Sequence, residues 1–129
     1  MNDSDIPEPT PSLSPKDVIK VQVNALADND SPFPDAGVEA AFSFASPANK
    51  EQTGPLPKFK RMLHAQQYGP MINHVDAEYG LFERDGDKAS QVVTLTTSDD
   101  DRVAYEFQLS LQEGNKHDGC WMTDSVYRL

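Results

Sequence analysis

The apolar positions change period once along the chain. Before Pro70 they recur every three or four residues, as on one face of a helix; after it they alternate. Val18, Ile19, Val21, Val23 and Leu26 form an apolar side running to about residue 28. Ser14 and Pro15 stand ahead of it, a capping hydroxyl and then a proline whose missing N–H costs nothing in the first turn. Asp17 adds negative charge where the helix dipole favours it. Asn29, Asp30, Ser31, Pro32 and Pro34 end this helix. A second helix is predicted over residues 35–45, with Val38, Ala41, Phe42 and Ala45 on one face and Pro47 blocking its continuation. Residues 48–55 read as a connector with room for a single helical turn. A third helix runs from residue 56 or 57 to 66, with Leu56, Phe59, Met62 and Leu63 as its apolar face; Gly69-Pro70 closes it.

Four strands follow. Val75, Ala77, Tyr79 and Leu81 alternate with His74, Asp76 and Glu78, and Asp85-Gly86 marks a hairpin connection. Residues 91–97 are rich in β-branched side chains, and Asp99, Asp100 and Asp101 make a solvated turn. Val103, Tyr105, Phe107, Leu109 and Leu111 give the cleanest alternation, opposite Ala104, Glu106, Gln108 and Ser110. That half-polar second face is expected of a sheet covered on one side. A longer turn then leads to a last strand over residues 120–128. The pattern predicts one α+β domain over residues 14–129, with three N-terminal helices packed on a four-stranded antiparallel sheet. Residues 1–13, proline-rich and acidic with few large aliphatics, read as a disordered tail.

Three stretches carry a resemblance: AFSFASPANKEQTGP, LPKFKRMLHAQQYGPMINH and GCWMTDSVYRL. Together they resemble a family of unknown function within the nuclear-transport-factor-2-like, or cystatin-like, superfamily, over about residues 15–129. The resemblance implies that the sheet is curved into a cone behind the helices. That superfamily contains ketosteroid isomerases, polyketide cyclases, a dehydratase and epoxide hydrolases, besides binding and assembly domains with no chemistry. Its enzymes keep Asp, His or Tyr inside the cone. Pairing of two copies through the open sheet face is implied by fold analogy only.

Composition narrows the partners. Lys and Arg number 11 against 21 Asp and Glu, a net charge of -10. Such a charge argues against nucleic acid and against docking on anionic membranes. One cysteine permits no internal disulfide. No apolar run approaches the length of a membrane span, and MNDSDIPEPTP lacks the basic and hydrophobic parts of a secretory signal, so a cytoplasmic protein is expected. Neither a glycine-rich phosphate loop nor a dinucleotide fingerprint is present, and no cofactor is expected.

The candidate chemistry is sparse. His74, Asp76 and Glu78 share one strand face, so three ligands, or two carboxylates and a base, could converge there. The alternative turns Val75, Ala77, Tyr79 and Leu81 to the core and leaves those three in water. His117 and Cys120 have ligand-like spacing but lack companions for a four-donor metal site, and nothing marks a base to activate the thiol. Asp124 shares a strand face with Cys120, Met122 and Val126; lining the cone, it would be a buried acid or base. If Trp121 and Tyr127 own the core instead, Asp124 is wet. Glu106 has the same two readings on the neighbouring strand. Tyr68, where the third helix ends, could donate a hydrogen bond to a ligand or oxyanion. Tyr105, Trp121 and His74 are candidate pocket walls. Lys58, Lys60 and Arg61 form a basic cluster suited to an acidic protein partner or to solvent.

Two function classes follow. The first is a non-catalytic domain that binds a small ligand or a protein, as a homodimer through the sheet. The second is a cofactor-free isomerase, cyclase or dehydratase acting on a small apolar molecule. There Asp124 serves as acid or base and Tyr68 as oxyanion donor, with Glu106 or Asp76 in support.

Overall fold

The computed structural model describes residues 7–129. Its elements are α1 (Pro15–Ala27), α2 (Ala36–Ser43), α3 (Pro47–Thr53), α4 (Leu56–Leu63), a 3-10 turn (Gly69–Met71), and strands β1 (Asp76–Asp85), β2 (Lys88–Thr96), β3 (Arg102–Leu111) and β4 (Trp121–Arg128). The first six residues of the expected tail lie outside the described residues. Of the rest, Pro7 accepts a hydrogen bond from the Ser43 hydroxyl at 3.0 Å, and Leu13 packs against the core.

The start of α1 is a reciprocal cap. The Asp17 N–H donates to Ser14 Oγ, and the Ser14 N–H donates to Asp17 Oδ2, each at 3.1 Å. Val18, Ile19, Val23 and Leu26 bury completely along its inner side, and Gln22 goes in with them. The next element corrects the sequence reading. Residues 47–53 form α3, a fourth helix, where a connector with room for a single helical turn was expected. Ser46 caps it by accepting from the Asn49 N–H at 3.2 Å, and Pro47 takes the first helical position. Pro47 therefore starts a helix rather than only ending one. The helix before it stops at Ser43, so Ala45 is free to make a parallel bridge with Thr123.

The strands form a meander in the order β1-β2-β3-β4, every pair antiparallel. The helices cover one face. Ala89, Val93, Leu95, Val103, Tyr105, Phe107, Leu109 and Trp121 meet Val18, Ile19, Leu26, Val38 and Phe44 there in one core. Burying a side chain such as Phe44 or Phe107 contributes about 1.5–3 kcal/mol.

The cone expected from the superfamily resemblance is not what forms. The sheet is neither closed nor strongly curled, and four helices, not three, accompany it. The physical reason lies in its middle: β2 and β3 stay in register without interruption from Lys88↔Ser110 to Thr96↔Arg102. Bulges bend sheets, and here they sit only on the outer strands, at Gly80–Leu81 and at Asp124.

Those bulges also correct the expected faces. In β1, Ala77 and Tyr79 face the core, but after the bulge Phe82 takes the inner position and Leu81 is 74% exposed. Val75, inside in one of the two readings of this strand, is 65% exposed. In β4, Trp121 and Thr123 face inward, and past Asp124 the inward residue is Val126 opposite Phe107. No described helix is long and apolar enough to cross a membrane.

Candidate functional site

A cavity of about 790 Å³ opens under the β4 edge. Its apolar wall comes from α1 (Leu26), α4 (Phe59, Met62, Leu63), Met71 of the 3-10 turn, Phe107 of β3 and Val126 of β4. Its polar points are Gln22, Asn49, Thr53 and Thr123 inside, with Lys88, Ser110, Gln112, Asp124 and Ser125 toward the outer face of the sheet.

Local structure explains why the opening lies there. The helical layer closes on the β4 edge at two places. At one, the Ser46 N–H donates to Thr123 O at 2.8 Å and the Thr123 N–H to Phe44 O at 2.7 Å. At the other, the Tyr68 hydroxyl donates to Val126 O at 2.9 Å. The bulge residue Asp124 and Ser125 stand between these closures and line the opening.

The helices that wall the cavity are held by specific pairs. Phe42 of α2 meets Phe59 of α4 with ring centres 5.0 Å apart. Lys60 pairs with Glu39 at 3.2 Å, and His64 Nε2 donates to Asp35 Oδ1 at 2.8 Å. Burial pushes the Asp35 carboxyl up, but hydrogen bonds from Asn29 and His64 and the charges of His64 and Lys60 outweigh it and hold it below its usual value. Behind this pair Asn29 is buried. Its Oδ1 accepts from the Val38 N–H at 2.9 Å, and its Nδ2 donates to Asp35 at 2.9 Å.

The sequence candidates scatter. Tyr68 and Asp124 line the cavity; Glu106, Asp76, His74, Tyr105 and Trp121 do not. Burial, with a smaller push from Tyr127, raises the Tyr68 phenol above its ordinary value. Asp124 occupies the bulge and also borders a shallow depression on the outer sheet face beside Lys88 and Gln108. Glu106 lies on that outer face, accepting from Gln108 Nε2 at 3.0 Å. His74 is buried ahead of β1, its Nδ1–H donating to Met71 O at 2.7 Å, while Asp76 and Glu78 are exposed and Glu78 pairs with Arg102. The three do not converge.

Tyr105 is a core residue. Its hydroxyl donates to Gln67 O at 2.7 Å, and burial pushes its phenol up to about 12, with Arg128 lowering it and Tyr68 raising it. Trp121 packs in the core with the Arg84 guanidinium 4.9 Å above its ring. Cys120 is buried, its thiol pushed up by burial and by Asp118. Among the described residues, no three His, Cys, Asp or Glu side chains gather as a metal site. Of the basic cluster, Lys60 is paired with Glu39, Lys58 Nζ donates to Gln52 O at 3.0 Å, and Arg61 is exposed.

Sequence reasoning missed Gln22 and Thr123. Gln22 Nε2 donates to Thr123 Oγ1 at 2.7 Å and to Val18 O at 3.2 Å at the inner end of the cavity. The available signal was a glutamine inside the apolar stripe of α1, between Ile19 and Val23.

Fold and site together define a helix-covered antiparallel meander with a mostly apolar cavity at its last edge. The chain belongs to the family described as "Domain of unknown function (DUF4864)", matched over residues 12–129. No curated protein and no solved structure matches it.

Proposed function

We propose that the domain binds a small, largely apolar molecule in the cavity under the β4 edge and does not transform it. The observation that carries this reading is the cavity itself. Its volume of about 790 Å³ falls in the range of small-molecule sites, and Leu26, Phe59, Met62, Leu63, Met71 and Phe107 give it an apolar wall. Its inner polar groups are already committed: Gln22 to Thr123 and Val18, Asn49 Nδ2 to Thr123 O, and Thr53 Oγ1 to Asn49. Selection of the ligand therefore rests on shape and apolar contact. The probe is N-phenyl-1-naphthylamine, whose fluorescence rises in apolar sites. Saturable one-to-one binding that is lost when Val126→Trp or Met62→Trp fills the cavity supports the reading. No saturable binding, or binding unchanged in both correctly folded variants, overturns it.

One observation favours the catalytic alternative: Asp124 and Tyr68 line the same cavity. Against it, the Tyr68 hydroxyl donates to Val126 O, and Asp124 stands at the outer lip. Asp124→Asn separates the two. If the chain turns over a small carbonyl compound and the variant loses that turnover while still binding the probe, the acid–base reading replaces the binding one.

A further inference from the structure

The cavity under the β4 edge is apolar inside and charged at its opening. The charged residues of its lining are Glu51, Lys88 and Asp124. Ser110, Ser125 and Tyr68, neutral groups of the same lining, are committed. Ser110 Oγ accepts from Gln112 Nε2 at 3.1 Å, Ser125 Oγ donates to Gln108 Oε1 at 3.3 Å, and the Tyr68 hydroxyl donates to Val126 O. Inside, shape and apolar contact select the ligand; at the opening, charge does. We propose that the ligand is an apolar amine, its ammonium held by Asp124 while its apolar body fills the cavity. This rests on the reading of the cavity as a binding site and names the class of molecule that the site takes.

The fold places Asp124 for this role. It is the extra residue of the β4 bulge, between Thr123 opposite Leu109 and Ser125 opposite Gln108. A bulge leaves its extra residue out of the ladder and re-aims the side chain. The backbone on either side is held, at Thr123 O by the Ser46 N–H and at Val126 O by the Tyr68 hydroxyl, so the position is fixed before a ligand arrives. Asp124 is half-buried, and its carboxylate makes no hydrogen bond or ion pair among the described residues.

The sign of the ligand's head follows from how the charges at the opening are balanced. Lys88 lies opposite Asp85 in the β1–β2 ladder and shares the shallow outer depression with Glu83, Asp85 and Asp124. Opposite charges at such cross-strand positions attract, so Lys88 is balanced from the outer side. Arg84, the other cation of that depression, lies over the Trp121 ring and donates to Gly86 O. Glu51 and Asp124 thus leave an excess of negative charge at the opening, in a chain of net charge -10 whose field draws cations. An alkyl amine is protonated at neutral pH, as lysine is, and its compact ammonium suits a single carboxylate. A metal ion needs more ligands, and no three His, Cys, Asp or Glu side chains gather among the described residues. An anionic head would meet two carboxylates.

The experiment displaces N-phenyl-1-naphthylamine from the full chain with three competitors that share a naphthalene body: 1-naphthylmethylamine, 1-naphthylmethanol and 1-naphthoate. All are compared at neutral pH and matched ionic strength. The amine should bind about fivefold more tightly than the alcohol, as a partly exposed charged pair allows, and the carboxylate should bind most weakly. Asp124→Asn should bring the ratio of amine to alcohol affinity down to about one. Asp100→Asn removes the same charge in the turn between β2 and β3, at a φ of 68° that asparagine accepts, and should keep the ratio. Four results overturn the amine assignment while the cavity reading stands: equal binding of amine and alcohol, tightest binding of the carboxylate, a ratio that survives in folded Asp124→Asn, or one lost equally in Asp100→Asn. A fluorescent probe that does not bind saturably overturns both.

Discussion

Gln22 and Thr123 are joined across 101 residues of chain by one buried hydrogen bond of 2.7 Å, Nε2 to Oγ1. It ties the centre of α1 to β4 beside the bridge with Ala45, adding a buried side-chain hydrogen bond to the contacts that close the helical layer on the sheet edge. Unmade, such a bond leaves a buried amide or hydroxyl short of a partner. Thr123→Val should cost about 1–3 kcal/mol in urea unfolding. Gln22→Leu should cost a similar amount. The double variant should cost less than the sum, because neither partner is then left alone. Strict additivity in the cycle would show that the contact contributes nothing.

Gly37 of α2 packs directly against the backbone of α1. A Cβ at this position would lie 2.2 Å from Ala25 O and 2.8 Å from Asn29 Oδ1, the atom that caps the Val38 N–H. Backbone cannot yield as a side-chain tip can. Gly37→Ala should therefore destabilise by about 1–3 kcal/mol or more, the cost of overpacking, whereas alanine at an ordinary helix position stabilises. A lowered urea midpoint at unchanged slope checks this.

Asp35 makes stability depend on acid. Its folded carboxyl is held below its unfolded value by Asn29, His64 and Lys60 against an opposing burial effect. The contribution is present above the unfolded pKa of about 3.9 and lost as pH falls through the folded value. Asp35→Asn keeps a residue that tolerates the φ of 63° at this position. The variant should show a flatter loss of stability below pH 4 than the parent. Identical acid-unfolding curves for the two would refute the coupling.

Tyr105 acts at the other end of the pH scale. Its phenol, pushed up to about 12, lies above the unfolded value near 10. Its contribution is complete below pH 10 and disappears as pH rises through the folded value. Tyr105→Phe should flatten the alkaline limb of the stability profile. It should also remove the latest phase of phenolate absorbance, which a native-state titration at 295 nm records.

Much of the architecture was legible because the change of period was clean. Val18 to Leu26 on α1 and Val103 to Leu109 on β3 bury as their spacing requires. The errors came from single residues that act on both sides of themselves. Ser46-Pro47 repeats the Ser14-Pro15 start signal, yet the proline weighed only as a stop, so α3 was lost. A strict two-residue period cannot anticipate a bulge. Gly80–Leu81 and Asp124 each shift the alternation by one, sending Leu81 outward and Val126 inward.

The candidate site was harder to read, since its parts come from distant segments. Gln22, Phe59, Phe107 and Val126 share a cavity only after the sheet edge meets the helices. The local cluster of Lys58, Lys60 and Arg61 caught attention instead, although the fold engages Lys60 with Glu39 and Lys58 with Gln52.

The bridge between Ala45 and Thr123 bears on aggregation. It blocks β4 as a template for a foreign strand and leaves β1 as the long open margin of the sheet. Two copies meeting antiparallel about the centre of β1 would set Asp76 against Asp85 and Glu78 against Glu83. Like charges directly opposite destabilise such a pairing. Edge-to-edge polymerisation is thus restrained by electrostatic repulsion, and that restraint weakens as salt screens it or acid neutralises it.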